Sequence, residues 1–77
     1  MNKIYEQSYT GAFIETNKGS EDRDDAISQM ITMCGDYITE YQKTGKRATI
    51  ESGIWDNKFV VRVINNKIVL KRYYIIK

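Results

Sequence analysis

Between Ser20 and Gly45 the chain reads SEDRDDAISQMITMCGDYITEYQKTG. Its apolar residues fall at Ala26, Ile27, Met30, Ile31, Cys34, Tyr37, Ile38 and Tyr41. Steps of three and one place them all on one side of a helix. No other segment keeps that period. A single amphipathic helix must therefore lie on something flat, and a chain of 77 residues leaves room for only one sheet. Ser20 or Asp22 can cap the free N–H groups of the first turn. Glu21, Asp22, Asp24 and Asp25 sit where the helix dipole is positive. Lys43 lies near the C-terminus, and Gly45 can take a left-handed cap conformation. Gly35 falls off the apolar stripe and weakens the helix by about 1 kcal/mol relative to alanine.

The rest of the chain alternates. KIYEQSYTGAFIE places Tyr5, Tyr9 and Phe13 at even spacing and Ile4, Ala12 and Ile14 on other positions. It reads as one strand or two short ones, with Gly11 as a bend. TNKGS, Thr16 to Ser20, reads as a turn. After the helix, RATIESGIW (Arg47 to Trp55), KFVVRVI (Lys58 to Ile64) and KIVLKRYYIIK (Lys67 to Lys77) read as strands. DNK and Asn65–Asn66 join them. The expected order is β–α–β–β–β, an α+β two-layer domain over residues 1–77: one antiparallel sheet with the helix on one face.

A turn at Asn65–Asn66 pairs Ile64 with Lys67, Val63 with Ile68 and Arg62 with Val69. On that register Phe59, Val61, Val63, Ile68, Leu70, Tyr74 and Ile76 meet the helix, with Arg72 reaching past an edge. Lys58, Val60, Arg62, Ile64, Lys67, Val69, Lys71, Tyr73, Ile75 and Lys77 occupy the other face, which no second helix covers.

Charge is unevenly spread. Residues 1–42 carry three cations against eight carboxylates, and residues 43–77 carry nine against two. Such polarity bears on partners and not on fold. Cys34 is the sole cysteine, so no internal disulfide can form. The N-terminus, MNKIYEQSYTG, has no apolar run of signal-peptide length, and no segment approaches a membrane span. The expectation is an intracellular, cytoplasmic protein.

Little catalytic chemistry is on offer. Histidine is absent, which removes the usual general base and the commonest metal ligand. One cysteine without histidine gives neither a Cys–His nucleophile nor a tetrahedral zinc site. The glycines are scattered singly, so TGK at Thr44 to Lys46 has no phosphate loop around it. EDRDD at Glu21 to Asp25 lacks the spacing of a calcium loop and reads as solvated acids at a helix start. Cys34 and Met30 read as core, and Met33 lies at the stripe edge. Asp36 and Glu40, one helical turn apart, imply no pocket. No enzyme activity, cofactor or metal is expected.

The uncovered face is the one feature that points outward. Val60, Ile64, Val69 and Ile75 would leave more apolar surface bare than a small monomer usually shows. A protein partner is expected to cover it, either a second copy of the chain or a different protein. The candidate contact residues are Trp55, Val60, Arg62, Lys67, Val69, Lys71 and Tyr73, with Trp55, Arg62 and Tyr73 as anchors. In size and composition the chain resembles the short accessory proteins of phages and mobile elements that bind and inhibit a host protein. The alternative is a nucleic-acid binder using Arg62, Lys67, Lys71, Tyr73 and Lys77, whose cations would neutralise phosphates while aromatics stack on bases.

Overall fold

The computed structural model describes residues 1–76. The elements run β1 (Asn2–Ser8), β2 (Phe13–Ser20), α1 (Arg23–Gln42), β3 (Thr49–Trp55), β4 (Lys58–Asn65) and β5 (Ile68–Ile76). All strand pairs are antiparallel, in the order β2-β1-β5-β4-β3. The helix covers one face, as the two-layer reading requires.

The N-terminal segment is two strands. The chain reverses over residues 9–12, where Gly11 takes φ 90° and its N–H donates to the Ser8 carbonyl. TNKGS does not leave the sheet but continues β2. Thr16 and Asn17 are inserted opposite the Ile4–Tyr5 step. The Thr16 hydroxyl donates to the Ile4 carbonyl at 2.7 Å, so the bulge satisfies the group it exposes. Gly19 is obligatory: a Cβ there would lie 2.4 Å from the Asn2 carbonyl oxygen.

Asp22 caps the helix, its carboxylate accepting from the Asp24 N–H. Gly45 turns the chain away at φ 84°. Two clips set the helix on the sheet. Gln29 accepts from the Gly19 N–H and donates to its carbonyl, both at 3.1 Å. At the other end Asn65 donates to the Tyr41 hydroxyl at 2.7 Å. Between them lies the core: Ile4, Ala26, Met30, Cys34, Val61, Val63, Tyr73 and Ile75, with Ile27, Met33, Tyr37, Ile38, Phe59 and Leu70 packed around it. Each fully buried large side chain contributes about 1.5–3 kcal/mol.

The closing hairpin departs from the expected register twice. Its turn is Asn66–Lys67, both with positive φ, so Asn65 pairs with Ile68. Left-handed angles at both central residues match the twist of the flanking strands. Further along, Ile64 pairs with Val69 but Val63 pairs with Lys71. Leu70 is the extra residue, and its carbonyl is taken up by the Tyr9 N–H at 3.1 Å. Shifting register by one residue moves every later side chain to the opposite face. Lys71, Tyr73 and Ile75 therefore lie on the helix side, and Arg72, Tyr74 and Ile76 on the open side, the reverse of the expected faces.

Candidate functional site

The face without a helix is built in rows by the strand registers. One row crosses the sheet as Glu15, Tyr5, Tyr74, Val60 and Gly53; the next as Phe13, Gln7, Arg72, Arg62 and Glu51. Trp55, Lys58, Lys3 and Ile76 extend it at one end, and Ile64, Val69 and Thr49 at the other.

Two aromatic groups stand on this face. Phe13 stacks on Tyr5 at 5.3 Å and meets Tyr74 at 5.5 Å. The Tyr74 hydroxyl donates to Gln7 Oε1 at 2.9 Å. Across the sheet, the Trp55 ring lies over Gly53, where even a Cβ would come within 2.8 Å of it. The Arg62 guanidinium stands 4.3 Å from the centre of that ring. Between the two groups runs a groove of about 230 Å³, lined by Trp55, Asp56, Lys58, Val60, Arg62, Arg72 and Tyr74.

The charges here are unbalanced. Lys3 pairs with Glu15 at 3.6 Å, and Arg62 pairs with Glu51. Arg72 and Lys58 have no ion pair among the described residues. Arg72 stands directly opposite Arg62 across the β4–β5 pair. Facing like charges destabilise a sheet by a few tenths to about 1 kcal/mol. The Arg62 Nε is also buried without an acceptor, at a cost of about 1–3 kcal/mol.

The residues singled out from the sequence divide. Trp55, Arg62 and Val69 are on the open face as expected. Val60 is there too but only 4% exposed, so it is the floor of the groove and not a free contact. Lys67 is exposed at the hairpin tip. Lys71 and Tyr73 are corrections: the extra residue at Leu70 turns both toward the helix. Lys71 pairs with Glu6 at 3.8 Å and lies 4.5 Å over the Tyr37 ring. Tyr73 is 3% exposed, and burial holds its phenol far above the usual range. Lys77 lies outside the described residues.

Tyr5, Phe13, Arg72 and Tyr74 were not among the candidates. The even spacing of Tyr5 and Phe13 is a visible signal for two of the three rings in the aromatic cluster, although Tyr9, of the same parity, lies in the connecting turn. Tyr74 and Arg72 carry no such signal, because their side depends on the bulge.

Elsewhere the structure offers little chemistry. Cys34 is fully buried, and burial pushes its thiol from 9.0 up to about 12, Lys71 offsetting this in part. Among the described residues no three acidic or cysteine side chains gather where they would hold a metal ion. No helix among them is long and apolar enough to cross a membrane. No protein-family model matches the chain, and no curated protein or solved structure matches it.

Proposed function

We propose that the chain is a small non-enzymatic binding module that works inside the cell and seats an acidic segment of a partner protein on the open sheet face. By occluding what it covers, such a module would act as an inhibitor of that partner. The observation that carries this reading is the facing pair Arg62–Arg72, which lines a groove floored by Val60 and flanked by Trp55 and Tyr74. Only one of the two charges is matched by Glu51, so the pair presents an unmet requirement for an anion. A partner carboxylate would meet it with charge-assisted bonds, bidentate in geometry. Tyr74 and Trp55 flank that point and supply the aromatic area typical of interface anchors.

A phosphate chain fits this surface less well. Lys71 and Tyr73, which the nucleic-acid reading needs, belong to the helix side. The cations that remain are interrupted by Glu15, Glu51 and Asp56, so they mark a point and not a track for a polyanion.

The test is affinity capture from the protein's own cellular setting, comparing the wild-type chain with Arg72→Ala, Trp55→Ala and Lys71→Ala. A protein retained by the wild type and by Lys71→Ala, and lost with the other two, supports the reading. Equal retention by all four chains, or retention that nuclease abolishes, removes it.

A further inference from the structure

The sheet has two free edges, and they differ. The β2 edge is interrupted by the Thr16–Asn17 insertion, carries Lys18 and bends at Asn17, φ 61°. These are the features that keep an edge from pairing. The β3 edge has none of them. Its seven residues pair with β4 without a break, and it contains no proline or lysine. The two-residue turn at Asp56–Asn57 makes Trp55 and Lys58 the closing hydrogen-bonded pair. Counting back by twos, the N–H and C=O groups of Ile50, Ser52 and Ile54 then point away from β4, to an edge where no backbone group of the described residues receives them.

The side chains agree with the backbone. Ile50 and Ile54 project to the helix side, but the helix does not reach over them: they are 38% and 65% exposed. Gln29 ties one flank of the helix to β2. The opposite flank, with Ile27, Ile31 and Ile38, therefore leans toward β3, and Ile31 is 44% exposed there.

We infer that β3 is a dimerisation edge, pairing antiparallel with β3 of a second copy about a two-fold axis at Ser52. That register satisfies every outward group of Ile50, Ser52 and Ile54. It sets Ile50 against the partner copy's Ile54, Glu51 against Gly53 and Thr49 against Trp55. No like charges face each other along the strands, and the four isoleucines form one stripe between the two helices. The neighbouring registers that use the same outward groups fail. Sliding one way puts Glu51 opposite its own copy, a repulsive pair. Sliding the other way puts Ile50 opposite Asp56. The edge is thus self-complementary in charge and polarity, as a two-fold interface requires. The axis runs perpendicular to the sheet, so both helices lie on one side and both open faces on the other. The inference is independent of the reading of the open face.

Light scattering across a dilution series tests it. The wild type has the mass of two 9.0 kDa chains at high concentration and dissociates on dilution. Ile54→Lys, at a position too exposed to matter for the fold, weakens the dimer on the order of 100-fold or more, because each copy loses an apolar contact. Ser52→Cys under mild oxidation gives a disulfide-linked dimer, since facing residues of a hydrogen-bonded pair lie about 5.5 Å apart and buried Cys34 does not compete. A single-chain mass at every concentration with no cross-link at Ser52→Cys overturns the inference. So does a dimer that survives Ile54→Lys unchanged.

Discussion

Truncating Tyr73 and Tyr74 separately, each to alanine, distinguishes the bulged hairpin from the uninterrupted one. Tyr73 sits in the core beside Cys34 and Val61 and is 3% exposed. Removing a buried aromatic ring of that size costs about 3–5 kcal/mol. A domain of 77 residues has roughly 4–11 kcal/mol to lose, from about 0.05–0.15 kcal/mol per residue. Tyr73→Ala is therefore expected at the edge of unfolding. Tyr74 is half-buried against Phe13, with one hydrogen bond to Gln7. Its removal should cost about 1–2 kcal/mol. Urea denaturation followed by circular dichroism reads both. With an m-value of about 1 kcal/mol per molar, the midpoint of Tyr73→Ala falls by about 3 M or more, and that of Tyr74→Ala by less than about 2 M. If Tyr74→Ala is the costlier change, Leu70 is not an extra residue and the assignment of the two faces collapses.

Other consequences follow from the same packing. Gly35→Ala meets nothing within 4 Å and removes a flexible residue from mid-helix, so it should stabilise by about 1 kcal/mol; for a domain this size the melting temperature rises by about 4–8 °C. Arg72→Thr relieves the facing-arginine repulsion, gaining a few tenths of a kcal/mol in denaturant titrations while weakening partner capture, the trade expected where a site is kept at some cost in stability. Cys34 should resist thiol reagents at pH 8 until the chain unfolds. Its folded pKa lies above the unfolded value of 9.0, so above pH 9 the unfolded state releases the proton first; stability is full below that and falls toward about pH 12. Cys34→Ala should remove the part of that limb that begins near pH 9 and leave the part that buried Tyr73 contributes above pH 10.

The helix was legible because its stripe has one period and one interpretation, and its apolar positions Ala26, Met30 and Cys34 are the ones most deeply buried. In β4 alternation also worked, since Val61 and Val63 alternate with Lys58 and Arg62. In β5 it failed for a physical reason. Tyr73, Tyr74, Ile75 and Ile76 are apolar on both parities, so nothing local says which of each pair faces in. Only the adjacent pair Lys71–Arg72 hints at an interruption, and Lys71 finds its place beneath Tyr37 and beside Glu6, partners contributed by other elements. The same slip hid Arg72 and Tyr74 from the site, whereas Trp55 and Arg62 lie before the bulge and were found.

Trp55 is the only tryptophan in the chain, and it lies on the proposed face, so at a fixed chain concentration, where β3-edge association does not change, its fluorescence reports that face. The decisive measurement is its emission during titration with the captured partner and, separately, with a short mixed single-stranded oligonucleotide, each at about 50 and 200 mM salt. The account predicts a shift with the protein partner whose midpoint weakens moderately with salt, as one or two ionic contacts require, and no response to the oligonucleotide. A response to the oligonucleotide that weakens steeply with salt, or a partner that binds without altering Trp55, would contradict it.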